Sequence, residues 1–273
     1  MPNEEIMERA MVSSSGSLRE DEEKIRIAGS ASISGGVVDK FVKISGSGKI
    51  NGNFQCNGIR TSGSLKCLGD LSSNGTARSS GSFSIDGSFS TQGFVRSSGS
   101  FRVGKNFRGD NDVKFGGSAK IGGETTIQGF LKSSGSLRIE KSVQAENGFK
   151  TSGSAYVGGN LLSQELIDMK GSANINGDVT AKNLFTGFKR WWRNLRIGTP
   201  VKHPYKIHGN ILAKNVVELN STFVNGDVKG KHVKIGRRSQ ITGKVYFVDT
   251  IKIHRRANIS AEPVQIKEEE LVL

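Results

Sequence analysis

A repeat of 17 to 18 residues is the feature of this sequence that most restricts its fold. Ser-Gly-Ser triplets, two of them altered to Gly-Gly-Ser and Lys-Gly-Ser, place glycine at positions 46, 63, 81, 99, 117, 135, 153 and 171. The first step is 17 residues and the next six are 18. A fixed period of this length is the signature of a repeat architecture, in which each unit buries its apolar face against its neighbours.

Apolar residues recur in the same columns of each repeat. One pair of columns runs through Phe83 and Ile85, and two further columns run through Phe89 and Val95. Apolar positions two apart indicate short strands with alternate side chains inward, and the glycines between them indicate corners. Three short strands in each repeat predict an all-β fold, a parallel β-helix (solenoid) of about twelve triangular coils of 17–18 residues over residues 27–262.

Charged segments flank the repeats, and one stretch interrupts them. We expect residues 1–26 to be a disordered tail and residues 263–273 to be an acidic tail, and neither tail has the pattern of a cap. The second glycine column steps by 32 between Gly177 and Gly209, which indicates one coil plus an insertion at about 187–204.

The last rungs resemble a known family. The segments "INGDVTAKN", "IHGNILAKN" and "VNGDVKGKHVKIGRRSQITGKVYFVDTIKIHRRANIS" are similar to the bactofilins, polymer-forming cytoskeletal proteins whose coils carry I-x-G-D/N-[IV]-x-A-x-x-[IV] rungs. The resemblance implies a right-handed, three-faced β-helix that assembles end to end into nucleotide-independent filaments, often at a membrane. This chain departs from the family in having more coils, serine-rich repeats in its first half, and the insertion.

Self-assembly has a physical driver in such a fold, because each end of a solenoid presents unpaired strand edges and a slice of open core. Apolar residues near both ends either stack on a second copy or merely close the core. The predicted polymerisation interface comprises Val37, Val38, Phe41, Val245, Phe247, Ile251, Ile253 and Ile259.

The chain is strongly basic, with a formal net charge of +14. One column of the repeat forms a ladder of cations: Arg60, Arg78, Arg96, Lys114, Lys132 and Lys150. Such a ladder is either a solvated surface or a site for an anionic partner, such as acidic lipid head groups or an anionic polymer bound along a monomeric rod. These columns lack the interleaved aromatic residues of a single-strand binder, which disfavours nucleic acid.

The insertion contains both tryptophans of the chain among basic residues, as in an interfacial membrane anchor. Its alternatives are packing on the side of the solenoid or binding another protein, including cell-envelope or other scaffolded proteins. The predicted membrane-binding residues are Phe185, Phe188, Lys189, Arg190, Trp191, Trp192, Arg193 and Arg196.

The sequence gives little support to catalysis or to a cofactor. Period alone does not fix handedness, so a hexapeptide acyltransferase remains an alternative, as does a polysaccharide lyase. The first needs a positioned histidine, and the four histidines all lie at or beyond His203. The two cysteines lack metal-ligand spacing. The acidic start "MPNEEIMERAMV" and the lack of a long apolar run predict a cytoplasmic protein, which the resemblance places at the inner face of the cell membrane.

Overall fold

The computed structural model describes residues 9–187 and 204–271, and the chain is all-β, a parallel β-solenoid of about thirteen turns. It divides into two compact units, residues 1–129 and 130–273. The predicted fold class is therefore confirmed, with about one turn more than the sequence indicated. The predictions that fall on residues 188–203 lie outside the described residues.

The strands of the first unit are short, and most span three to five residues. They are β1 (Val12–Ser14), β2 (Ser17–Glu20), β3 (Lys24–Ala28), β4 (Ser30–Ile33), β5 (Gly36–Ile44), β6 (Ser47–Ile50), β7 (Phe54–Thr61), β8 (Ser64–Cys67), β9 (Leu71–Ser73), β10 (Ala77–Ser79), β11 (Ser82–Ile85), β12 (Phe89–Thr91), β13 (Val95–Ser97), β14 (Ser100–Val103), β15 (Phe107–Gly109), β16 (Val113–Phe115), β17 (Ala119–Ile121) and β18 (Thr125–Ile127).

The second unit continues the pattern and ends in a short 3-10 helix, Glu268–Glu270. Its strands are β19 (Phe130–Ser133), β20 (Ser136–Ile139), β21 (Val143–Ala145), β22 (Gly148–Thr151), β23 (Ser154–Val157), β24 (Leu161–Leu162), β25 (Leu166–Met169), β26 (Ser172–Ile175), β27 (Val179–Thr186), β28 (Tyr205–Ile207), β29 (Ile211–Leu219), β30 (Thr222–Val224), β31 (Val228–Ile235), β32 (Gln240–Ile241), β33 (Val245–Ile253), β34 (Asn258–Ile259) and β35 (Val264–Gln265).

Each strand pairs in parallel with its equivalent in the next turn. In the first unit, for example, β8, β11, β14 and β17 form one such stack, with a step of 18 residues between paired positions. Where the step falls to 17, as from Ser30 to Ser47, two strands merge at a corner into one strand of eight or nine residues with a register shift. The β-bulge absorbs the missing turn residue.

The core consists of inward side chains that lie over their equivalents. Phe83 stacks on Phe101 with ring centroids 5.6 Å apart, and Phe89 stacks on Phe107 at 5.2 Å. Phe101 is 2 % exposed and its ring also lies 4.9 Å from that of Phe115. Like-on-like stacking explains why the same residue type recurs at the same column.

The glycine of the Ser-Gly-Ser corner is required by close approach of stacked backbones. A Cβ on Gly81 would collide with the carbonyl oxygen of Gly63, and one on Gly99 would collide with that of Gly81. None of these three has a positive φ. Of the two reasons offered by the sequence, conformational freedom and close approach, the second applies here.

The second corner is held by Asn and Asp side chains that follow the other glycine column. The Asp70 carboxylate accepts a hydrogen bond from the backbone N–H of Ser88 at 2.7 Å, one turn onward. In the second unit, Asp178 accepts from Asn210 at 2.6 Å, and Asn210 in turn accepts from Asp227 at 2.9 Å. The "NGD" and "HGN" rungs are therefore explained by a structural ladder that pairs otherwise free backbone donors.

The segment before the first turn runs back over it, and we call residues 9–20 the N-terminal cover. Strand β1 pairs antiparallel with β4, and β2 pairs antiparallel with β3. A bridge joins Arg9 to Val37 on the third side. The prediction of a disordered, non-capping tail is therefore wrong for residues 9–26, because the backbone groups of the first turn find hydrogen-bond partners in this segment.

The chain after the last long strand is also partly ordered. Strand β35 pairs in parallel with the start of β33, opposite Tyr246 and Phe247. Lys231 and Glu268 form an ion pair at 3.0 Å, and Leu271 is buried. The acidic tail predicted at 263–273 thus contributes a two-residue strand within its described part.

Candidate functional site

The first turn has no open strand edge. Val37 accepts a hydrogen bond from the backbone N–H of Ala10 at 3.1 Å, and the N–H of Phe41 donates to the carbonyl of Glu23 at 2.8 Å. Val38 is buried. The expected open edge at Val37, Val38 and Phe41 is therefore wrong, because the chain's own N-terminal segment occupies it.

Acidic residues of the turn between β2 and β3 hold the cover in place. The Lys40 ammonium donates to the Glu20 carboxylate at 2.7 Å, and the Arg26 guanidinium donates to Asp21 at 2.7 Å. The hydrogen bond and the charge of Lys40 lower the pKa of Glu20 below its ordinary value. These exposed pairs position the cover rather than supplying much stability.

The last turn, in contrast, has unpaired edges. Among the described residues, β35 pairs only with the Tyr246–Phe247 part of β33, and nothing pairs with the outer side of β34. The rest of β33, from Asp249 to Ile253, also lacks an outer strand partner in the part of the chain that the structure describes. Its backbone groups are available for a further strand.

The structure brings the five C-terminal residues of the predicted interface together in this turn. Val245 is buried, whereas Phe247, Ile251 and Ile259 are half-buried. Ile253 is 40 % exposed at the end of β33. Val245 therefore closes the core, and the other four form an apolar rim beside the open edge. We call Phe247, Ile251, Ile253 and Ile259 together with this edge the C-terminal rim.

The basic ladder exists as the sequence predicted, within each unit. Its members occupy equivalent positions of neighbouring strands. In the first unit these are Arg60, Arg78, Arg96 and Lys114, and in the second unit they are Lys132 and Lys150.

Aromatic rings lie beside this ladder, which the sequence reasoning missed. The Arg78 guanidinium lies 4.6 Å from the centroid of Phe94, and the ammonium groups of Lys132 and Lys150 lie 4.5 and 4.7 Å from that of Phe130. Each ring precedes a ladder column by two positions, and residues two apart share one face of a strand. That spacing is the signal that could have revealed them.

Only one of the residues predicted to bind membranes falls within the described chain. Phe185 is half-buried in β27, in register with Asp168 of the preceding turn and Glu218 of the following one. The other seven, Phe188 to Arg196, lie outside the described residues. No helix in the described part of the chain is long and apolar enough to cross a membrane.

The described residues show no arrangement suited to metal binding or nucleophilic chemistry. No group of three or more His, Cys, Asp or Glu side chains there could hold a metal ion. Burial raises the pKa of both Cys56 and Cys67 to about 11, so their thiols stay protonated near neutral pH. His232 contacts Thr250 at 3.1 Å, and the ring of His254 accepts a hydrogen bond from the N–H of Arg256 at 3.0 Å.

Comparison with known proteins returns nothing: no protein-family model, no curated protein and no solved structure matches this chain.

Proposed function

We propose that this protein is a structural scaffold that self-assembles end to end into nucleotide-independent filaments, with the C-terminal rim as its principal contact. The observation that carries the proposal is the combination of unpaired edges and apolar side chains in the last turn. A strand edge supplies directional hydrogen bonds, and burial of the rim supplies the favourable free energy of association. The resemblance of the last rungs to the bactofilins supports the same function.

A filament needs a second contact as well as the rim. The outer edge of the N-terminal cover offers one, because β1 and β2 each use one side to pair with the first turn. Met11 and Leu18 in this cover are 76 % and 42 % exposed. We therefore propose that the rim of one copy meets either the rim or the cover of the next.

The test is a charge substitution in the rim with a matched control on the side of the fold. Ile253→Arg places a cation where the proposal buries an apolar side chain, so we expect the association constant to fall at least about thirtyfold. Leu68→Arg is the control, because Leu68 is equally exposed at 40 % but lies in the first unit, between β8 and β9. Negative-stain microscopy and sedimentation velocity measure the result.

Filaments that persist in Ile253→Arg would refute assembly through the rim. Loss of filaments in Leu68→Arg as well would point to general charge repulsion. Circular dichroism with an unchanged β signature ensures that both variants are folded.

We also propose that the assembly acts at an anionic membrane surface, in the cytoplasm. Support comes from the sequence "KRWWRNLR", residues 189–196, and from the cations of the ladder. Trp191→Ala/Trp192→Ala should reduce co-sedimentation with anionic vesicles, while neutral vesicles should bind neither protein. Unchanged binding to anionic vesicles would remove the segment from the proposal.

A further inference from the structure

A cluster of four arginines occupies one corner of the last two complete turns, and no prediction from the sequence made use of it. Its members are Arg237, Arg238, Arg255 and Arg256. Each pair forms the centre of a four-residue turn, closed by hydrogen bonds from Ser239 N–H to Gly236 O at 3.3 Å and from Ala257 N–H to His254 O at 2.8 Å. The two turns stack, since Arg238 N–H donates to Arg256 O at 3.2 Å.

The charges of this corner are uncompensated. Among the described residues none of the four arginines forms an ion pair, whereas Arg138 binds Glu140 at 2.7 Å and Arg26 binds Asp21. The positive charges of Arg256, Arg238 and Arg255, together with partial desolvation, lower the pKa of Arg237 below its ordinary value. Four exposed guanidinium groups therefore repel one another across two stacked turns.

The backbone of the corner is also unusual. Arg238 has a φ of 60°, in the left-handed region that non-glycine residues rarely adopt. Glycine would fit this position without that cost, yet the chain has arginine. Strain and uncompensated charge at one place are features of a binding site.

A groove of about 850 Å³ lies next to the cluster. Arg237, Lys252 and His254 line it together with Lys234. The Glu218 carboxylate in the same groove accepts a hydrogen bond from Lys234 at 2.8 Å. Its negative charge is therefore matched by Lys234, and Arg237 and Lys252 remain for an incoming anion.

We propose that this corner binds a ligand with two or more clustered phosphate groups. Guanidinium groups present a planar fork of donors that matches phosphate oxygens bidentately, which lysine cannot do. The stacked turns place the two arginine pairs about one inter-strand spacing apart, roughly 4.8 Å, so that one compact polyanion can contact both. The ligand is either a soluble polyphosphate or the phosphorylated head group of a lipid.

A single-stranded nucleic acid fits this corner less well. Neither turn contains Phe, Tyr or Trp, so bases would have no aromatic platform on which to stack. Phosphate contacts alone remain, and these are shared with the smaller ligands.

The test uses inorganic tripolyphosphate and the full chain in isothermal titration calorimetry. We expect Arg237→Gln/Arg256→Gln to weaken binding at least about tenfold, since each variant side chain loses a charge-assisted hydrogen-bond donor set. The matched control is Arg60→Gln/Arg96→Gln, which removes the same charge from the ladder and should change affinity less than about twofold. Equal weakening in both variants, or no binding by the wild type at millimolar ligand, would overturn the proposal.

Competition distinguishes the sources of phosphate. Vesicles of acidic phospholipid that displace tripolyphosphate would identify a lipid head group, and vesicles that fail to do so would identify a soluble polyphosphate. A single-stranded oligonucleotide that binds more tightly than tripolyphosphate, and loses this affinity in the cluster variant, would overturn the proposal in favour of nucleic acid. Trp191→Ala/Trp192→Ala should retain tripolyphosphate binding, which separates this site from the proposed membrane segment.

Discussion

The first and last turns of this solenoid share the same coil design but treat their edges in opposite ways. At the first turn the chain reverses direction, and the antiparallel strands β1 and β2 pair with edges that would otherwise be open. At the last turn the chain continues in the same sense, and only the two residues of β35 extend the stack. A reversal covers an end, whereas a continuation only moves the open edge one turn onward.

Charge follows the same division. The acidic residues near the cover are paired with cations, as in the contact of Lys40 with Glu20. The arginines near the last turn lack such partners among the described residues. The first turn is thus satisfied within the chain, and the last turn is left with unpaired backbone groups and unpaired charge.

The largest expected effect lies in the interior, between the two ends. Phe101→Ala removes a ring that packs against four other phenylalanines. We expect the free energy of unfolding to fall by about 3–5 kcal/mol, measured by chemical denaturation. Leu68→Ala, at a 40 % exposed site, should cost less than about 1 kcal/mol. Similar costs for both would contradict a core of stacked columns.

The next effect breaks the contrast between the ends directly. Deletion of residues 1–20 removes the cover and exposes the edges of β3 and β4, so self-association should begin at a concentration at least about tenfold lower. Deletion of residues 1–8 leaves the cover intact and should change little. Sedimentation velocity on both proteins measures the difference, and equal behaviour would mean that the cover does not protect the first turn.

The smallest effect is a dependence of the cover on pH. The pKa of Glu20 is lowered in the fold by Lys40, so its contribution is present above the ordinary carboxylate pKa and is lost as pH falls through the lowered value. NMR signals of the Leu18 methyl groups should report loosening of the cover in acid. Glu20→Gln should show it already at neutral pH, while Glu22→Gln should behave as wild type.

The sequence was sufficient to predict the coil, because a solenoid repeats one local solution and each inward column is visible as a periodicity. Phe83, Phe101 and Ile85 could be assigned to the core from their column alone. The cover could not be predicted, because residues 9–20 occur once and lack the period of the strands they pair with. Their pairing depends on backbone hydrogen bonds to β3 and β4, which carry no sequence pattern.

The candidate surfaces were predictable to different degrees. The ladder follows from its column, whereas the ring of Phe130 beside it depends on an alternation across one strand. The rim residues Ile251 and Ile253 could be placed in the last turn, but their exposure depends on how little of the following chain pairs with β33. The arginine cluster needed the structure, because only the stacking of two turns brings Arg237 and Arg256 together.

The most direct measurement of the central contrast is amide hydrogen exchange at low and high protein concentration. Assembly through the rim should slow exchange at Asp249–Ile253 and Asn258–Ile259 as concentration rises, because a second copy then covers these edges. Lys24–Ala28, already paired with the cover, should be protected at both concentrations. Exchange in the last turn that stays fast at concentrations where filaments are visible would contradict the account.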